Sequence, residues 1–190
     1  MADHNDLPTD AQKLCTAWST SGDVDQGDVD QARRLLATFP GVNLNTIKWS
    51  EQDEGEAEDE GEGELTLLAH AARKGHAEIC QMLLDRGADV NQRSDGMVLE
   101  WGFSTSQGTS PLINACRNGH SKVVNVLLAV DGIDVNCHKD DEATALFITS
   151  LNGQLKVVEM LLAVDGIQVN QANNNEIRVN WRFHTASNNP

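Results

Sequence analysis

Apolar residues recur in pairs four positions apart at three places in the chain. Ile79 and Cys80 go with Leu83 and Leu84, Val123 and Val124 with Leu127 and Leu128, and Val157 and Val158 with Leu161 and Leu162. Each set marks one buried face of a short helix. The flanking residues repeat too. GHSKVVNVLLAVDGIDVN, residues 119–136, returns thirty-four positions later as GQLKVVEMLLAVDGIQVN, residues 153–170, with thirteen of eighteen positions identical. A looser copy, GHAEICQMLLDRGADVN, fills residues 75–91. Self-similarity at this period predicts a solenoid in which each unit buries its apolar face against its neighbours.

Polar punctuation places a second helix in each unit. A hydroxyl residue stands nine positions before each turn glycine: Thr66 before Gly75, Ser110 before Gly119 and Thr144 before Gly153. Such a hydroxyl caps a helix N-terminus, and Pro111 directly after Ser110 suits the first helical position. The glycines supply the left-handed conformation that ends the helix and turns the chain back antiparallel. Small residues between these marks, Ala71 and Ala72, Ala115 and Cys116, Thr149 and Ser150, let inner helices of adjacent units lie close together. The units read as residues 11–45, 65–91, 109–137 and 143–170. The first is irregular, with a tandem GDVDQ at 22–26 and 27–31, either copy of which could form its turn. Its Leu44-Asn45 stands where Val90-Asn91 stands in the next unit. Residues 1–10 are polar and read as a frayed N-terminus.

Two insertions interrupt the period. Residues 51–64, EQDEGEAEDEGEGE, hold nine acidic residues and three glycines, a solvated run that enters no core. Residues 92–109 lengthen one exit loop; Asp95-Gly96 signals a tight turn, and Met97, Leu99, Trp101 and Phe103 alternate as in a half-buried strand, predicting a β finger. The spaced triple Trp101, Phe103, Thr105 returns as Trp181, Phe183, Thr185 within 171–190, and Ile47, Lys48, Trp49 is a vestige before the acidic run. The tryptophans either stack finger to finger or form an aromatic contact surface.

Composition narrows the function classes. Only 39% of the chain is hydrophobic, 4% aromatic, and there is no Tyr, so Leu, Val, Ile and Ala must build the core. The formal charge of -15 argues against a nucleic-acid backbone as partner. No apolar run approaches the roughly 18 residues of a membrane helix, and the first ten residues do not resemble a signal peptide. The expectation is a protein that is intracellular, cytoplasmic or nuclear, with no membrane partner. Cys80 falls in a helical apolar phase and Cys116 in a small-residue slot, so both read as buried thiols. Cys15 and Cys137 lack metal-ligand spacing, and the loop beginning at Asp23 places its glycine and closing residue wrongly for calcium. No metal or cofactor is expected. His76 and His120 follow turn glycines and are read as bonding to backbone across adjacent loops.

TSPLINACRNGHSKVVNVLLAVDGIDVN and LTLLAHAARKGHAEICQMLLDRGADVN together resemble ankyrin repeats, in the helix opening, the GH turn, the paired apolar outer helix and the DVN exit. The resemblance implies a mainly α fold, an ankyrin-repeat solenoid of stacked helix pairs with projecting β-hairpin loops. It also implies no catalysis and the binding of other proteins through loop tips and inner helices. On that basis the candidate partner-binding residues are Trp101 and Phe103 as anchors, with His70, Arg73, Asn114, Arg117, Ile148 and Leu151 along the inner helices. Asn91, Asn136 and Asn170, which close the units, resemble asparagines hydroxylated in this family; their ordinary work is to bond turn backbone. Ile148 and Leu151 replace polar residues of earlier units, which suggests a truncated fifth repeat or a partner-covered end. The function expected is a protein-interaction module. The alternatives are a regulatory or targeting segment of a larger enzyme, and an acidic chaperone for basic proteins.

Overall fold

A computed structural model describes residues 26–38, 44–45, 48–49, 65–94, 108–139 and 142–171. The expectations for residues 1–10, the acidic run 51–64, most of the 92–109 finger with Trp101 and Phe103, the 172–190 stretch and Cys15 lie outside these residues. The described elements are helix α1 (Gln26–Thr38), a stub hairpin β1 (Lys48–Trp49) and β2 (Leu65–Thr66), and three helix pairs. The pairs are α2 (Leu67–Lys74) with α3 (Ala77–Asp85), α4 (Pro111–Arg117) with α5 (Ser121–Leu128), and α6 (Ala145–Leu151) with α7 (Leu155–Leu162).

Inner helices α2, α4 and α6 pack on one another in order, as do outer helices α1, α3, α5 and α7. The inner helices are buried almost all round, since each has a sister helix on one side and inner neighbours along the stack; Ala71, Ala72, Ala115, Cys116 and Thr149 are among their buried residues. The outer helices bury one stripe each: Ile79, Cys80 and Leu83; Val123, Val124 and Leu127; Val157, Val158 and Leu161. The second leucine of each motif, Leu84, Leu128 or Leu162, packs at the edge of this core, only partly buried. At eight or nine residues such helices are too short to be stable alone and depend on stacking.

The hydroxyl caps form as the spacing predicts. Thr66 accepts from Ala69 N at 3.2 Å, Ser110 from Ile113 N at 3.3 Å, and Thr144 from Phe147 N at 3.2 Å. Gly75 closes α2 at φ 86°, its N–H bonding to Ala71 O, and Gly119 and Gly153 also hold positive φ, at 71° and 66°. In the first unit one of the two open choices for the turn is excluded. α1 begins at Gln26 and takes Gly27 into its first turn, so Gly27 is no turn residue and the second GDVDQ copy is helical.

The stub hairpin pairs Lys48 with Thr66 and Trp49 with Leu65, antiparallel. It pairs Trp49 and Leu65, the described residues nearest either side of the acidic run, beside the cap of α2. The base of the aromatic finger is closed in the same way: Ser94 N bonds to Thr109 O at 2.9 Å, Gly108 N to Ser94 O at 3.1 Å, and Arg93 Nε to Gly108 O at 3.0 Å. The next loop is short, with one bridge between His138 and Thr144.

Candidate functional site

Polar clasps between units hold the stack together at both ends of the inner helices. His120, first residue after the turn of its unit, bonds through Nε2 to Arg73 O of the preceding unit at 2.8 Å. A carbonyl only accepts, so His120 carries a proton on Nε2. Gln154 repeats the contact one unit on, donating to Arg117 O at 3.0 Å, and Asn152 donates to the same oxygen at 2.9 Å. The reading of His120 as a backbone clasp therefore holds; His76 is buried.

The exit asparagines clasp the opposite end of each unit. Asn91 donates to Gly132 O at 2.8 Å and accepts from Asp134 N at 2.8 Å. Asn136 donates to Gly166 O at 3.0 Å and accepts from Gln168 N at 2.8 Å. Asn45 accepts from Asp89 N at 2.8 Å, which ties the irregular first unit to the second. An aspartate two residues before each of Asn91 and Asn136 bonds that asparagine's own N–H, at 2.9 and 3.0 Å, and so holds the turn in shape. The sequence identifies these asparagines as turn formers; that the turn they bond belongs to the next unit emerges only from the stack.

The expected partner-binding residues divide by position. Arg73, Arg117 and Ile148 are partly exposed and Leu151 is exposed, all on the inner helices. His70 and Asn114 are buried, Asn114 donating to Thr109 Oγ1 at 3.4 Å. At these places on α2 and α4 the side chains lie within the stack. Trp101 and Phe103 lie outside the described residues.

The thiols fit a supporting role. Burial pushes Cys80 and Cys116 up to about 12, and burial also raises Cys137, partly offset by its hydrogen bond with Ser110 at 3.0 Å. A thiol so shifted stays protonated at neutral pH and is a poor nucleophile or metal ligand. Among the described residues, no group of three or more His, Cys, Asp or Glu is placed to hold a metal ion. No helix among them is long and apolar enough to cross a membrane.

Stacked pairs of short helices, hydroxyl caps, glycine turns and asparagine clasps define an ankyrin stack. Residues 95–173 match the family described as ankyrin repeats (3 copies) and residues 64–95 the ankyrin repeat; the chain belongs to the ankyrin repeat family, whose repeats mediate protein–protein interaction. It is 35% identical over 104 residues to the probable E3 ubiquitin-protein ligase XBOS33 of Oryza sativa subsp. japonica, which covers 54% of this chain and 15% of that protein. To E3 ubiquitin-protein ligase XBAT33 of Arabidopsis thaliana it is 44% identical over 61 residues, 32% of this chain and 10% of that protein. To the probable E3 ubiquitin-protein ligase XBOS32 of Oryza sativa subsp. japonica it is 30% identical over 115 residues, 60% of this chain and 18% of that protein. The chain thus spans less than a fifth of the length of each of these relatives.

Proposed function

We propose that the chain is a non-catalytic protein-interaction module that engages its partner along the finger edge. Trp101 and Phe103 serve as apolar anchors there, and Arg73, Arg117 and Leu151 add contacts along the inner helices. What supports this most is how residues are divided between stacking and display. The features shared by the units, apolar outer stripe, cap hydroxyl, turn glycine and exit asparagine, are used within the stack. The parts that differ between units, the 50–64 and 95–107 loops, leave from the caps of α2 and α4, whose helices pack together. Interfaces concentrate their energy in a few aromatic and arginine side chains, the types that the sequence supplies in Trp101, Phe103, Arg73 and Arg117. The test is affinity capture with the wild-type chain and with a Trp101→Ala, Phe103→Ala double variant, read by quantitative mass spectrometry. Captured partners are expected to fall at least roughly tenfold for the variant, an aromatic hot spot contributing about 2 kcal/mol or more. Equal capture by both would remove the finger from the binding surface.

A second reading has the same module recruiting a protein within a larger polypeptide. The names of the three relatives as ubiquitin ligases, matched over a small part of their length, favour it. Ligase chemistry would then reside outside these 190 residues. An antibody against residues 108–139 separates the readings: an endogenous species near the mass of 190 residues supports the free module, and a much heavier one supports the larger protein.

A further inference from the structure

The two junctions between the three helix pairs use the same parts. The carbonyl two residues before a turn glycine, Arg73 O or Arg117 O, accepts from the side chain of His120 or Gln154 in the following unit. That side chain lies across the bare Cα of the glycine: a Cβ at Gly75 would stand 2.8 Å from His120 Nδ1, and one at Gly119 3.0 Å from Gln154 Nε2. The exit asparagine then clasps the following exit turn. The last pair presents the same three parts at the carbonyl of Leu151, at Gly153 and at Asn170. Gly153 keeps the positive φ of its counterparts, but a Cβ there would meet nothing within 4 Å. Asn170 is exposed.

The apolar surface around these groups points the same way. Val90 and Val135, in the exit turns of the preceding units, are each 7% exposed, and Val169, the same residue type at the same place, is 37% exposed. Leu151 is 67% exposed where Arg73 and Arg117 stand in the earlier units, and Leu155 is 75% exposed where Ala77 and Ser121 stand. Ile148, partly exposed, occupies the position at which His70 and Asn114 are buried. A unit finished for water carries polar residues on its outer side; this one carries Leu151 there in place of arginine, and exposes Leu155 and Val169.

We propose that the face made by Ile148, Leu151, Gly153, Leu155, Val169 and Asn170 is a docking surface for a further helix pair of the same repeat type, stacked in register as the next member of the array. The occupant must carry a side-chain donor, histidine or glutamine, directly after its own turn glycine. That donor meets Leu151 O across Gly153, while Asn170 clasps the occupant's exit turn. The occupant follows from continuity with two junctions of identical construction, a construction that a generic apolar partner would not reproduce. This face shares only Leu151 with the partner edge proposed above, and the tests below rest on Leu155 and the appended histidine, which that reading does not use, so the two stand or fall separately.

The test compares the 190-residue chain with the same chain extended after Pro190 by a second copy of its residues 111–139, a pair that carries the histidine donor. The extended chain is expected to unfold in a single transition with a higher urea midpoint, and its fluorescence with a hydrophobic dye should drop by roughly threefold as the apolar patch is covered. Leu155→Glu should leave the midpoint of the 190-residue chain unchanged and abolish the gain in the extended one. Replacing the appended histidine by alanine should remove part of the gain, which mere greasy cover would not predict. Separate unfolding of the appended pair with dye binding unchanged would overturn the proposal. So would a 190-residue chain that sediments as a dimer and becomes monomeric with Leu155→Glu, since the face would then belong to a second copy.

Discussion

The imidazole of His120 lies across Gly75 and donates to the carbonyl of Arg73 at 2.8 Å, so a turn of one unit is seated directly on the turn of the next. Gly75 is required twice, for its φ of 86° and for its missing Cβ. Gly75→Ala is therefore expected to cost more than the roughly 1–2 kcal/mol of a left-handed alanine alone, because the ring must also move. Gly166→Ala, at φ 81° with open space around it, should cost that backbone penalty only. Urea denaturation of the two variants measures the difference, and equal losses would show that the ring gives way freely.

Gln154 takes the place of His120 in the next unit but leaves its Oε1 buried with no hydrogen-bond partner among the described residues. An imidazole would keep the donor to Arg117 O and discard the stranded oxygen. Gln154→His should accordingly stabilise the chain by about 1 kcal/mol, the scale of an unsatisfied buried polar group. A lower unfolding midpoint would show that the glutamine oxygen is well solvated.

The asparagine clasps give an internal control. Asn136→Ala removes one donated and one accepted bond at a junction and should cost about 1–3 kcal/mol. Asn170→Ala, at an exposed counterpart, should fall within about 0.5 kcal/mol of wild type in the 190-residue chain. Similar losses at both sites would mean that the asparagines act within their own turns.

Loss of a cap should be local and moderate. Thr144→Ala deletes the acceptor for Phe147 N and is expected to cost about 1 kcal/mol, with Thr144→Ser recovering most of it. Failure of serine to rescue would assign the role of Thr144 to its methyl group.

Cys80 and Cys116, raised by burial from an ordinary 9.0 to about 12, favour the folded state as neutral thiols. Because the folded values lie above the unfolded ones, this stabilisation is complete below about pH 9 and is lost as pH rises toward 12. Iodoacetamide at pH 8 should leave both unmodified in the native chain and label both in urea, read site by site by mass spectrometry. Rapid native labelling of Cys80 would contradict its burial.

Much of the fold is legible in the sequence because repetition reports the same physics three times. The apolar stripes of α3, α5 and α7, the caps Thr66, Ser110 and Thr144, and the glycine turns all follow from local rules that each unit satisfies alone. What the sequence alone does not show depends on neighbours. The burial of the polar His70 and Asn114 comes from stacking. The spacing leaves either GDVDQ copy free to form the first turn, and α1 takes up the second. Lys48 and Trp49 read as part of a finger vestige, and their pairing with Leu65 and Thr66 across the acidic run needs the three-dimensional approach of chain segments sixteen or more residues apart. For the candidate site, the ends of the 92–109 stretch are described, while Trp101 and Phe103 lie outside the described residues and remain an expectation from the sequence.

Hydrogen–deuterium exchange on the chain alone and bound to its captured partner tests the central claim most directly. If the repeats are scaffold and the variable edge binds, new protection appears in peptides covering residues 92–109 and the C-terminal ends of α2 and α4, with Arg73 and Arg117. The outer helices α3, α5 and α7 stay unchanged. Protection confined to those outer helices, or to the acidic run 51–64, would contradict it.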